Sequence, residues 1–205
     1  ATNVAFPVTT IATALALLLG IGGASNYNLE MGAGYEEKAS GIAGTALSSL
    51  VSGGVILAAI ILLFLKPLLT LFGATADVMP YAVDYTGITA LGLPFYILSV
   101  GGNHIVRADR SPTYSMVCIM IGAIINTILD PLFIFGFGWG IKGAAWATVI
   151  GQVASGVLVI VYFCKFRKMY LSGGMLKPKL SYLKVIISLG LASCINQIAM
   201  AIVQI

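Results

Sequence analysis

Apolar residues in this chain fall into six long runs, at 4–27, 42–65, 83–105, 114–135, 144–163 and 182–205, separated by shorter polar stretches. Each run is about as long as the ~20 residues a helix needs to cross the hydrocarbon core of a bilayer. None alternates with the period of two that marks a membrane barrel strand. The pattern predicts an all-α fold, a polytopic transmembrane helix bundle. Within the runs, small residues recur four apart: Gly20 and Ala24, Ser48 and Ser52, and Ala147, Gly151 and Ser155. Such spacing lets helix backbones approach closely, so the spans are expected to pack on one another.

Composition closes the soluble alternative. Hydrophobic residues make up 59% of the 205 and charged ones 9%, against about 25% charged in ordinary soluble proteins. The net charge of +4 is not a nucleic-acid face, because the bases sit between apolar runs. They are also distributed unevenly. Lys38, Arg107, Arg110, Lys165, Arg167, Lys168, Lys177, Lys179 and Lys184 fall on one set of connections, and Lys66 and Lys142 on the other. The excess of Lys and Arg predicts that the first set, near 31–40, 106–113 and 165–181, is cytoplasmic. Trp139 and Trp146 then flank the outer end of the fifth span, where interfacial aromatics belong. The first run would enter the membrane from outside, which calls for a span before it. No charged n-region precedes that run, and the last run continues to Ile205; the chain reads as a piece of a longer protein.

Candidate chemistry is sparse. Cys118, Cys164 and Cys194 are odd in number and lie in or beside apolar runs, so they are expected to be small buried hydrophobes. Glu30, Glu36, Glu37, Asp77, Asp84 and Asp109 lie in connections or near span ends. Glu30, Glu36 and Glu37, with Lys38, are expected to form a solvated helix start, and His104 is expected to be an interfacial histidine without a ligand role. Asp130 alone stands well inside an apolar run. An intramembrane carboxylate is costly, faces a polar interior, and is functional by default. Asn126 is one turn earlier on the same face, and Gly122 continues that stripe. Pro131 removes a backbone donor and opposes the Thr127 carbonyl, predicting a kink. On the next span Ala144, Thr148 and Gln152 form a matching stripe. If the two faces meet, a carboxylate, an amide and a hydroxyl supply hard oxygen ligands suited to Na⁺, or a setting that holds a proton. Asn196 and Gln197 on the last run, with Gln152, are candidates to line a cavity. No nucleophile elbow, Walker loop or HExxH pattern is present, so the chain is not expected to be an enzyme or to need a cofactor.

These motifs resemble those of the multidrug and toxic compound extrusion (MATE) transporters. Gly20-Ile21-Gly22-Gly23-Ala24-Ser25 with Met31-Gly32-Ala33-Gly34-Tyr35-Glu36-Glu37-Lys38-Ala39 is similar to the family's second helix and following loop. Arg107-Ala108-Asp109 with Ser111-Pro112 resembles the loop after the fourth helix. Asn126-Thr127-Ile128-Leu129-Asp130-Pro131 and Gly140-Ile141-Lys142-Gly143-Ala144-Ala145-Trp146-Ala147-Thr148 are the most specific stretches. Two positions depart from the family: Arg110 stands where Gly is usual, and Leu191-Ala192 where Pro is frequent.

The resemblance implies a prokaryotic-type transporter of twelve helices in two lobes, in the cytoplasmic membrane. This chain would supply six spans, helices two to seven. On that reading 1–165 is the N-lobe without its first helix, 166–181 the cytoplasmic inter-lobe loop, and 182–205 the start of the C-lobe. The partners implied are the bilayer, a small drug-like substrate and the missing helices of the same protein, with no nucleic acid. The implied activity is export of cationic or amphipathic compounds coupled to Na⁺ or H⁺, with the cation held by Asn126, Asp130 and Thr148 and the backbone of Ala144. The alternatives are a lipid-linked oligosaccharide flippase of similar architecture, which would need a basic cavity for its phosphates, and a non-transport membrane assembly subunit. Lacking the first helix and its acidic residue, these 205 residues are expected to be inactive alone.

Overall fold

The computed structural model describes residues 2–73, 75–166, 169 and 178–203. Its elements are α1 (Thr2–Gly32), α2 (Glu36–Leu63), α3 (Leu65–Leu71), α4 (Met79–Ala108), α5 (Pro112–Pro131), α6 (Gly140–Val161) and α7 (Leu180–Val203). Two π-helical segments, Leu132–Gly136 and Tyr162–Phe166, extend α5 and α6. Six helices are long and apolar enough to cross a membrane, as the apolar runs predict. Most are longer than their runs, because short polar ends carry on the helical hydrogen bonding.

Two local features stand out. The second run does not reach residue 65 as one helix. It breaks at Phe64 (φ −109°, ψ 25°), and α3 restarts with Pro67 in its first turn, where a missing N–H costs nothing. The second feature follows Pro131. The expected disturbance takes the form of a register change: the chain stays α-helical through Pro131 and then widens into the π-helical turn. There the Phe137 amide donates to Leu132 O at 3.0 Å. π-turns of this kind are frequent at functional positions. At the other departure from the family, α7 runs unbroken through Leu191 and Ala192.

The bundle is organised around α4, which packs on α1, α2 and α6 and more lightly on α5. Glycine makes these approaches possible. A methyl group at Gly20 would lie 2.5 Å from the Gly101 Cα, and one at Gly54 2.8 Å from the Pro94 Cα. Where backbones come this close, dispersion contacts replace the hydrophobic driving force that lipid does not supply. Among the expected small-residue pairs, Ala147, Gly151 and Ser155 are buried on α6. Ser48 is half-buried and Ser52 exposed, and both hydroxyls donate to carbonyls of their own helix, Gly44 and Ser48.

Only Cys118 of the three cysteines is buried; Cys164 is exposed and Cys194 half-buried. The expectation for those two fails because Cys164 lies in the π-helical end of α6 and Cys194 along α7, most of whose residues are exposed. The acidic stretch near residue 36 is less loose than a solvated helix start, since Glu30 on α1 pairs with Lys38 on α2 at 2.6 Å. The segment expected to separate two lobes lies mostly outside the described residues. The helix beyond it, α7, packs closely on α1. Gly22 faces the Ile186 carbonyl, Gly190 faces the Leu18 carbonyl, and the Asn26 amide donates to Gly22 O at 2.8 Å and Val185 O at 3.1 Å.

Candidate functional site

Helices α5 and α6 run antiparallel, and three glycines set their register. A methyl group at Gly122 would lie 3.0 Å from the Ser155 Cβ, one at Gly151 3.2 Å from the Asn126 Cβ, and one at Gly143 2.8 Å from the Phe133 carbonyl oxygen. Continuing that register brings Asp130 to the level of Ala147 and Thr148. The two stripes read from the sequence therefore do face each other, and the pairing could not have been read from either helix alone.

The polar atoms in this seam are unusual for a membrane interior. Asn126 Nδ2, Asp130 Oδ1 and Gln152 Oε1 are each buried without a hydrogen-bond partner among the described residues. Leaving one such atom unpaired costs about 1–3 kcal/mol, more for a charged group, and three of them lie in this one seam. The Thr148 hydroxyl donates to the Ala144 carbonyl at 2.9 Å, which leaves the hydroxyl oxygen's lone pairs as acceptors. Tyr85 on α4 brings its hydroxyl to Thr148 and lies within electrostatic range of Asp130; sequence inspection did not single it out. Its signal was weak, because a tyrosine near a span end is ordinary.

An open cleft of about 370 Å³ leads away from this seam between α4, α5 and α6. Asn126, Thr148 and Gln152 line one part of it, and Asn103, His104 and Arg107 another. Gln152 owes its position to Gly92 on α4, whose missing side chain makes room for the Gln152 carbonyl oxygen. Asn103 is 2% exposed; its amide donates to Ser99 O at 2.7 Å, and its Oδ1 is a further buried acceptor without a partner. Two of the residues expected to line a cavity do not line this one. Asn196 is exposed and Gln197 half-buried on α7, which packs on α1 and α2 and lies on the far side of the bundle from the seam. The amphipathic pattern of that helix is too weak to tell which face meets its neighbours.

No group of three or more His, Cys, Asp and Glu side chains converges among the described residues. The chemistry of the seam is therefore that of one carboxylate surrounded by neutral oxygen and amide groups. Such a set suits a monovalent cation or a proton better than a transition metal, which takes nitrogen and sulfur ligands.

With this geometry in view, the relatives become informative. The family model MatE matches residues 1–132. The chain belongs to the MatE family. The multidrug export protein MepA of Staphylococcus haemolyticus is 30% identical to this MatE-family chain over 165 residues, 80% of this chain and 36% of that protein. MepA of Staphylococcus aureus strain MSSA476 is likewise 30% identical, with 37% of its length covered. Among solved structures, an inward-facing multidrug resistance MATE family transporter of the MOP superfamily superposes with a TM-score of 0.88 at 28% identity. That match covers 98% of this chain and 46% of the other. An outward-facing conformation of such a transporter gives a TM-score of 0.87 at 29% identity, covering 96% and 44%. The MatE-family chain is thus a multi-pass membrane sequence, a partial helix bundle spanning less than half the length of the relatives it matches.

Proposed function

We propose that this chain is the cation-binding half of a Na⁺- or H⁺-coupled antiporter that exports cationic or amphipathic compounds. The observation that carries the reading is the unpartnered Asp130 Oδ1, buried beside the free amide of Asn126 at the level of Thr148. A cation or proton there satisfies the carboxylate and removes its desolvation cost, so it binds whichever conformation closes the seam more tightly. That differential affinity is the coupling energy of alternating access. The Thr148 hydroxyl, the Asn126 side-chain carbonyl and the Ala144 backbone complete the ligand set.

The whole transporter has two lobes. Residues 1–165 form the N-lobe without its first helix, 166–181 the inter-lobe loop, and 182–205 the start of the C-lobe. The basic connections near 31–40, 106–113 and 165–181 face the cytoplasm. MepA, a multidrug exporter by name, supports the substrate class. The near-equal fit to inward- and outward-facing structures, 0.88 and 0.87, supports motion in which these helices travel together. A flippase reading gains little, since Arg107 is the one basic residue lining the cleft besides His104.

The test is dye efflux from proteoliposomes containing the full-length protein, driven by an imposed Na⁺ or pH gradient. Asp130→Asn is expected to abolish ion-driven efflux while downhill dye binding persists. Wild-type ion dependence in that variant overturns the assignment.

A further inference from the structure

At the end of the bundle opposite the Trp139 turn, a second acid has the reverse character of Asp130. Asp109 sits in the three-residue connection between α4 and α5 and is 2% exposed. The Tyr162 hydroxyl, from the π-helical end of α6, donates to its Oδ2 at 2.7 Å and lies 3.4 Å from its backbone oxygen. The Tyr27 hydroxyl, from the last third of α1, reaches its Oδ1 at 3.5 Å. Both tyrosines are buried, at 1% and 4% exposure. The Tyr162 ring is fixed in turn by Tyr114 of α5, centroids 4.9 Å apart, and by Phe163, edge-on at 5.2 Å. Four spanning helices therefore meet at one carboxylate, held by donors far apart in the chain.

The connection itself is tightly wound. Arg110 has φ 59°, in the left-handed region that a side chain disfavours, and the Ser111 amide donates to Val106 O at 3.2 Å. Next to it a cavity of about 290 Å³, lined by Tyr27, Glu36, Ser40, Asp109 and Arg110, leaves room for the helix ends to separate if the carboxylate releases them. Hydrogen bonds to an ionised acceptor in such a buried place are among the strong ones.

We propose that Asp109 is the clamp that joins the ends of α1, α4, α5 and α6 into one rigid body. Through it the α5–α6 pair carrying Asn126, Asp130 and Thr148 moves together with α1 and α4. Asp109 is a positioning residue: it touches no ion and no substrate. Its part in transport rests on the antiporter reading above, whereas the clamp itself does not, so the two can fail separately.

The experiment uses the full-length transporter with Cys164 and Cys194 changed to Ser and a reporter cysteine at Ser40, which is 2% exposed and lines the cavity. Modification by a membrane-impermeant maleimide is followed in inside-out vesicles, with Thr86→Cys, buried in the other half of α4, as the control. Tyr162→Phe, which removes only a hydroxyl, is expected to speed labelling at position 40 by about tenfold, the effect of losing one charge-assisted hydrogen bond. Tyr27→Phe, with the longer contact, is expected to give a smaller increase. Labelling at position 86 should not rise. In efflux, Tyr162→Phe should lower the maximal rate per folded molecule and leave the half-saturating ion concentration unchanged. Unaltered labelling at position 40, or equal rises at both reporters, overturns the clamp. A shifted ion requirement does so too, since Asp109 would then act on the site itself. Should Asp130→Asn leave ion coupling intact while Tyr162→Phe speeds labelling, the antiporter reading falls and the clamp stands.

Discussion

Asp109 is buried and Asp130 half-buried with one buried oxygen in the same small membrane bundle, and the two acids differ in how their oxygens are satisfied. Asp109 is met by two tyrosine hydroxyls, whereas one oxygen of Asp130 faces neighbours that do not hydrogen-bond to it. Proteins pair nearly all their buried polar atoms, so an unpaired group calls for an explanation. The satisfied acid orders structure at a helix connection. The unsatisfied one is the acid to which the proposed function assigns the cation or proton. Burial alone would have ranked the two the other way, since Asp109 is the more deeply covered.

That contrast can be broken most sharply by giving both acids the same substitution. Asp109→Asn turns one acceptor into a donor facing a donor and is expected to destabilise the protein by about 2 kcal/mol, read as an earlier loss of monodisperse protein on heating in detergent. Asp130→Asn should leave that midpoint unchanged or raise it, because it removes an unpaired charge. Equal losses in the two variants would mean that both acids are structural.

Thr148→Val tests the seam more gently. It keeps the volume and removes one oxygen ligand, so the half-saturating ion concentration for efflux is expected to rise roughly tenfold, as for a loss of about 1.4 kcal/mol. The smallest effect is expected at the connection. Arg110→Gly restores a residue that accepts φ 59° without strain, and is expected to stabilise by about 0.5–1 kcal/mol, after the greater unfolded-state freedom of glycine is set against the relieved strain. A lower melting midpoint would show that contacts of the Arg110 side chain outweigh its backbone strain.

The resemblance to a family that usually has glycine at this position acquires a physical meaning here. The departure falls on a left-handed backbone position, so it identifies a strained turn in this particular chain. The other departure, at Leu191 and Ala192, has the opposite outcome: without proline, α7 keeps its hydrogen bonds throughout.

Legibility in the sequence followed the range of the interactions. Asp130 could be singled out because its neighbours in sequence are apolar over several turns, and Asn126 shares its face by helical geometry alone. Asp109 was passed over because Arg107, Arg110 and Ser111 around it are the residues of an exposed connection. The donors that bury it lie 82 and 53 positions away, and no local pattern announces them. Tyr85 and Gln152 show the same limit. Gln152 could be placed on a polar stripe, but only the packing of α6 on Gly92 of α4 decides where its oxygen goes.

By itself the sequence determined the solvent, the number of spans and the identity of the intramembrane acid. Each of these depends on composition over windows of about 20 residues, the thickness of a bilayer. The tertiary structure alone decided which helices touch, which stripes face each other and which buried acid is already satisfied. Those properties depend on where glycine lets two backbones meet, and a membrane helix that is apolar on every side carries little record of its neighbours.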